Sequence, residues 1–383
     1  MIYPKRKQRS EKMPPPAITA RSLFMVVLCL LTAAAVIFTC TGCSDDKDSG
    51  GASAASPDES TPDSKQTAEA YDPLSFTKPD VPDDGTEGYV SASDPGLYIY
   101  HSKALELCGA SDECAEDYAA AISEFKENNP DFTVYNMVAP IHTAFALPQR
   151  LIDSGAVYSA DQIDNIKKIY TGYTADVQPI NCCNALCAHM DEYIYFNTDH
   201  HWTGLGAYYA YEAFCEQTGQ TALQLSSCIE NKIEGFEGSF INEAEELADN
   251  IDTVSYWTLP YQTHAMCQHE AGDQLTEASI YQKGMEGSSA YLTFINGDSS
   301  LFIEYNDENK NGKKIAVVKE SFGNAFVPYL TYNYEEVHVI DSRYYDGSLK
   351  DYMQENGITE ILFLNNIMSA NNPFQVDGIR DIF

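Results

Sequence analysis

The sequence predicts an α/β fold with a mostly parallel central sheet, and three observations predict it. From about residue 95 onward, short apolar runs rich in Val and Ile alternate with stretches of helical period. The runs lack a polar face, as strands covered on both sides do. Strand and helix follow one another in turn, which requires crossover connections and parallel pairing.

The elements follow in order. "AEDYAAAISEFKENNP" (115–130) is a helix with Ala119, Ile122 and Phe125 on one face, stopped at Asn129-Pro130. "DFTVYNMVAP" (131–140) is a buried strand. "SADQIDNIKKIYTGY" (159–173) is a helix with Ser159 as cap and Ile163, Ile166 and Ile169 inward. "NALCAHMDE" is a short helix and "YIYF" (193–196) a strand. "GLGAYYAYEAFCEQTG" (204–219) is a helix closed by Gly219. Residues 220–300 break the rhythm: "EGFEGSF", "IDTVSYWTLPY" and "SSAYLTFING" read as a β-rich insertion or side layer. The rhythm then returns with strands at 313–318, 336–340 and 360–365 and helices at 323–334 and 347–357.

The N-terminus has another character. Lys5, Arg6, Lys7, Arg9, Lys12 and Arg21 precede "SLFMVVLCLLTAAAVIFTCTG", which carries no charge from Ser22 to Gly42. This is the layout of an export signal. "CTGC" followed by a polar tail resembles a lipobox, with Cys43 as the lipidated residue; an uncleaved signal anchor is the alternative. Residues 1–43 are thus expected to be export signal or membrane anchor. Residues 44–88, rich in Ser, Asp, Pro and Gly, are expected to be a disordered linker. Residues 89–383 are expected to form one domain with an insertion at about 220–300. Either reading of the leader places the domain on the extracellular face of a bacterial membrane.

Lys and Arg number 23 against 57 Asp and Glu, a net charge of −34. Such a surface repels nucleic acid and leaves neutral glycans open as partners. Beyond the leader lie Cys108, Cys114, Cys182, Cys183, Cys187, Cys215, Cys228 and Cys267. An even number outside the membrane predicts disulfides, Cys108 with Cys114 being the easiest local pair. The rival reading, a metal cluster at "CCNALCAH", matches no common zinc spacing. No cofactor or structural metal is expected.

The chemistry centres on "YFNTDHHWTGLGA", from Tyr195. In an extended segment, residues two apart face one side, so Asp199 is placed to hold the Nδ1 proton of His201 and leave Nε2 as a base. His200 would splay away as a structural or substrate-contact residue, and Trp202 would pack behind. The structural alternative is an Asp–His pair that ties a loop. Ser321 in "KKIAVVKESFGNAFVPYL" lies between a strand and a helix, where a side chain stands above the carboxyl edge of a parallel sheet and helix N–H groups can meet an oxyanion. Its alternative is a helix N-cap. "NGDSS" (296–300) spells an esterase block around Ser299 but has neither the leading strand nor the following helix. Asn365, Asn366 and Arg343 follow later strands and are candidates for oxyanion or substrate contacts. His142, after "VAPI", is a candidate for the same edge. A metallohydrolase built on Asp199, His200 and His201, with His264 or His269, is a weaker reading, for no H-E-x-x-H-like spacing supports it.

"YFNTDHHWTGLGA", "VVKESFGNAFVPYL" and "VIDSRYYDG" together resemble the DHHW protein family of Gram-positive bacteria, which is similar to the SGNH hydrolase-like domains of the alginate O-acetyltransferases. The resemblance spans roughly residues 95–375. It implies an SGNH-hydrolase-like three-layer sandwich, with Asp199 and His201 as acid and base and Ser321 as nucleophile. Glu320 stands where Asp commonly precedes this serine. The resemblance further implies acetyl transfer to, or removal from, a cell-envelope polysaccharide, beside a membrane-bound O-acyltransferase as acetyl donor. A non-catalytic glycan-binding lipoprotein that retains the fold is the competing expectation.

Overall fold

The computed structural model describes residues 72–383. The leader, Cys43 and the linker up to residue 71 lie outside the described residues.

Eight strands form the central sheet: β1 (Thr133–Ala139), β2 (Val177–Pro179), β3 (Thr263–Gln268), β4 (Thr276–Ala278), β5 (Leu301–Asn306), β6 (Lys314–Lys319), β7 (Glu336–Ile340) and β8 (Glu360–Asn366). Their order is β2-β1-β8-β6-β7-β5-β3-β4. The first five run parallel. The last three are added antiparallel.

Helices cover both faces. Helix α1 (Asp112–Asn128) packs with α2 (Gln162–Thr171), while α3 (Gly204–Gln217) packs with α4 (Gly323–Leu330). Side-chain alternation assigns the faces. Tyr135 pairs in register with Leu362, and its ring meets Phe214 of α3. The next residue of β8, Phe363, points the other way and meets Phe125 of α1. The result is a three-layer α/β sandwich. Helix α5 (Leu349–Glu355) leads into β8, and α6 (Pro373–Arg380) closes against α1.

Several expectations change. Asp161, not Ser159, caps α2: its carboxylate accepts the Asp164 N–H at 3.0 Å, a bond of about 1 kcal/mol. Ser159 instead accepts the Cys108 N–H. Tyr193–Phe196 is no strand; within it only Tyr195 forms a bridge, with Trp202. In "SSAYLTFING" Gly287–Thr293 is a 3-10 helix, because Glu286 and Ser289 cap one another's backbone. The stretch 220–300 divides. Ile229–Phe236 and Asp252–Thr258 form a separate ribbon, whereas β3 and β4 extend the central sheet.

Residues 72–88 lie against the domain rather than free in a linker. Leu74 and Phe76 pack on the core. Asn184 substitutes for a strand neighbour, accepting the Thr77 N–H at 2.8 Å and donating to the Ser75 carbonyl at 2.7 Å. Arg150 grips Asp83, Glu87 and the Thr86 carbonyl. Composition hides this because two apolar side chains and a few polar partners suffice to fix an irregular segment. Among the described residues no helix is long and apolar enough to cross a membrane.

The expected disulfides are absent among the described residues: all eight cysteines there are free. Cys108 is buried, while Cys114 sits half-exposed on the first turn of α1, so the local pair is not joined. Burial pushes the Cys108 thiol up to about 11 and the Cys215 thiol to about 12, which keeps both protonated and unreactive. Under non-reducing conditions, residues 72–383 should therefore titrate eight thiols in denaturant. In the native state the half-exposed Cys114, Cys187 and Cys228 should react first. A count well short of eight in denaturant would restore the disulfides.

Candidate active site

Strand β6 lies inside the sheet and ends at Lys319. The chain then turns through Glu320, Ser321 and Phe322 into α4. The turn is tight enough to need Gly323, where a Cβ would stand 2.6 Å from that of Lys319. The Gly323 N–H returns to the Glu320 carbonyl and the Asn324 N–H to the Ser321 carbonyl. The Ser321 hydroxyl makes no cap to α4. It lies 2.7 Å from His201 Nε2 and 3.3 Å from a Glu320 carboxylate oxygen.

The partner of Ser321, His201, comes from the loop between Tyr195 and Trp202. Asp199 and His201 meet there, but not through strand alternation. The Asp199 carboxylate folds over its own loop, accepting the His201 N–H at 3.0 Å and meeting His201 Nδ1 at 2.6 Å. Its second oxygen accepts the Ser239 N–H. Gly238 lets that segment come close: a Cβ there would stand 2.3 Å from the Thr198 carbonyl. Burial alone would raise the Asp199 carboxyl; the charge and hydrogen bond of His201, with His200 and the Ser239 N–H, hold it far below the usual carboxylate range. Nδ1 facing an ionised carboxylate carries the proton, so Nε2 is the acceptor for the Ser321 hydroxyl.

The loop is braced from below. Asp252, fully buried, accepts the Asn197 and Thr198 N–H groups, the Thr198 hydroxyl and the Tyr193 hydroxyl. The His201 ring stacks on Tyr291 at 4.0 Å, and the Tyr291 hydroxyl donates to the Ser321 carbonyl at 3.0 Å. Trp202 is buried, and its Nε1–H donates to the Phe322 carbonyl at 2.9 Å. His200 does not splay away. Its ring lies 3.8 Å from that of His201, and its Nδ1 lies 3.1 Å from the Ser239 hydroxyl.

None of the remaining candidates hydrogen-bonds Ser321 or His201 among the described residues. Asn365 accepts from the Tyr118 hydroxyl inside the sheet. Asn366 accepts the Met368 and Ser369 N–H groups, and its own N–H donates to Glu320. Arg343 is committed to Asp341 and Asp298. His142 stacks on Tyr195. Of the metal reading, Asp199, His200 and His201 do bring three ligand atoms within 4.8 Å of one another. His264 turns to Asp307 and His269 to Cys267.

Sequence reasoning missed Asp298, Tyr291 and Asp252. Asp298 Oδ1 accepts from Lys319 Nζ at 2.9 Å and from Asn324 Nδ2 at 3.1 Å, so it holds the chain on both sides of Ser321. The signal was Lys319 itself, a charge at the end of an apolar strand that had to find an acid. Glu320 spans the same corner, accepting the Phe322 and Asn366 N–H groups; burial raises its carboxyl and those two bonds oppose the rise.

The three-layer sandwich, with Ser321, His201 and Asp199 in line at its carboxyl edge, has an SGNH-hydrolase-like α/β fold. The chain belongs to the DHHW protein family, whose profile matches residues 76–340. The crystal structure of a DHHW family protein from Eubacterium siraeum DSM 15702 is 32% identical, with 77% of this chain and 98% of that one covered at a TM-score of 0.69. Bacillus cereus PatB1 is 20% identical over 73% of this chain and 98% of its own, with a TM-score of 0.61. The same protein with a sulfonyl adduct matches at 18% identity, 73% and 96% coverage and a TM-score of 0.59. The PatB1 structures share the fold. No curated protein matches the chain.

Proposed function

We propose that the protein is a membrane-anchored serine acyl enzyme of the extracellular face, an O-acetyltransferase or acetylesterase acting on a cell-envelope polysaccharide. The observation that carries the reading is the 2.7 Å approach of Ser321 Oγ to His201 Nε2 with Asp199 behind it. Ser321 Oγ attacks the ester carbonyl and its proton passes to His201 Nε2. The ester C–O bond breaks, and the departing alcohol takes that proton. An acceptor hydroxyl or water then gives a proton to His201 and attacks the acyl-serine; the acyl–Oγ bond breaks, and His201 returns the proton to Ser321 Oγ. Asp199 stays ionised and stabilises the imidazolium. Anchoring through Cys43 or the apolar leader would keep the domain beside a membrane-bound O-acyltransferase that supplies acetyl groups.

One observation favours the competing reading, a glycan-binding lipoprotein without catalysis. The Phe322, Gly323 and Asn324 N–H groups, which would otherwise face an oxyanion, are all engaged. In the catalytic reading the donor is the Asn366 side-chain amide, whose oxygen is turned to the Met368 and Ser369 N–H groups. A serine-reactive phosphonate separates the two. It should label the wild-type protein and leave Ser321→Ala unlabelled; wild-type protein that takes no label is the binding protein.

A further inference from the structure

A cavity of about 430 Å³ lies against the outer side of the loop that carries Asp199 and His201. Tyr193, Tyr195 and Asn197 of that loop form one wall, and Lys103 and His142 form another. The cavity is close to the triad: the Ala104 N–H, next to Lys103, donates to the Asn197 carbonyl at 2.8 Å. Asn197 stands two residues before Asp199, at most about 7 Å of chain. The volume falls within the range of small-molecule sites, roughly 300–1,000 Å³.

The charges in this cavity are unevenly satisfied. Its acids have partners: Asp83 meets Arg150 at 2.7 Å, Asp84 meets His101 at 3.4 Å and Glu192 meets His189 at 2.7 Å. Lys103 is half-buried and forms no ion pair or side-chain hydrogen bond among the described residues. Burial lowers its ammonium, and the charge of Asp252 opposes the shift without closing into a pair. Asp252 is occupied by four loop donors. His142 adds no second charge. Its Nδ1 is closed off from solvent and has no hydrogen-bond partner among the described residues. Burial, then the charge of Lys103, lowers its imidazole to about 3, so it is neutral. A half-buried cation that lines a cavity and has no acceptor is placed to pair with an anionic group of a ligand.

We propose that this cavity binds a carboxylate, the acidic group of a glycan unit, which pairs with Lys103. One cation beside a neutral imidazole suits a single negative charge. The carboxylate rests on Lys103; that the ligand is part of a glycan rests on the function proposed above. Such a site would dock an acidic unit of the polysaccharide beside the unit presented to Ser321, in a protein whose surface otherwise repels anions.

The test uses the full chain carrying Ser321→Ala, so that turnover plays no part, titrated with D-glucuronate and with D-glucose by calorimetry. Glucuronate should bind saturably and roughly tenfold or more tighter than glucose, the gain of one charge-assisted contact. Lys103→Gln should lose that advantage while glucose binding stays as it was, and Lys103→Arg should retain most of it. An unchanged melting temperature shows that Lys103→Gln is folded; if it is not, the Arg variant and the comparison of the two sugars still decide. Equal binding of both sugars, glucuronate binding indifferent to Lys103→Gln, or saturation by neither sugar overturns the proposal. Phosphonate labelling of Ser321 in the wild-type protein is independent of all three outcomes.

Discussion

Ser321→Ala and His201→Ala are each expected to lower turnover of an acetyl ester by about a thousandfold or more. His201 Nε2 at 2.7 Å is the nearer partner of Ser321 Oγ; the Glu320 carboxylate, at 3.3 Å, is already taken by the Phe322 and Asn366 N–H groups. Without His201 the serine proton has nowhere to go; without Ser321 the base has nothing to activate. The two act as one unit, so the double variant should cost little beyond either single one. His200→Ala should keep most of the turnover. His200 touches the His201 ring and the Ser239 hydroxyl but has no contact with Ser321. A loss of several-fold, from a looser His201, is the expected limit. Full turnover in Ser321→Ala would remove the catalytic reading. Loss of turnover in His200→Ala with retention in His201→Ala would reverse the assignment of the base.

The parallel half of the sheet was legible because its strands are buried on both faces. "KKIAVV", "EVHVI", "EILFLN" and "DFTVYNMVAP" are continuous apolar runs, and each became β6, β7, β8 or β1 with ends shifted by a residue or two. Strand β5, "LFIEYN", was not legible because Glu304 interrupts its apolar run. Glu304 is fully buried, neither carboxylate oxygen has a hydrogen-bond partner among the described residues, and burial raises its carboxyl well above the usual range. Composition counts such a residue as a charge.

The nearness of Asp199 to His201 was legible, but the reason offered for it was wrong. A strand would have sent His200 to the opposite face; a loop folded around the Asp199 carboxylate keeps both histidines together. The environment of Ser321 was the least legible part. Asp298 lies 23 positions before Ser321 in a block dismissed as a decoy, and Tyr291 lies in a segment read as a strand. Their roles depend on how β5 and the 3-10 turn before it bring them back to the end of β6, and no local pattern encodes that return.

Asp298→Ala is expected to destabilise the protein by about 2–3 kcal/mol, because it removes one of the two acids that meet the buried Lys319. The Lys319 side chain is 1% exposed, and after the change its remaining acid is Asp341 at 3.3 Å, itself shared with Arg343. Burial would raise the Asp298 carboxyl, yet Lys319 and Arg343 hold it well below the usual range, so the charged form belongs to the folded state. The melting temperature should fall by roughly 3–6 °C. Turnover should fall further than stability explains, since Asp298 joins Lys319, before Ser321, to Asn324, after it. Asp298→Asn keeps an acceptor for both and separates the two effects. Below its melting point it should show a lower kcat with KM little changed, the mark of a displaced nucleophile rather than a lost substrate contact. Ser299→Ala, one position on, should leave kcat and KM as they are, because its hydroxyl has no contact with Ser321 or His201. An Asp298→Ala protein that melts within about 1 °C of the parent would show that the ion cluster contributes nothing net, as some buried pairs do. Loss of turnover in Ser299→Ala would move the nucleophile to the Gly297-Asp298-Ser299 block and remove Ser321 from the chemistry.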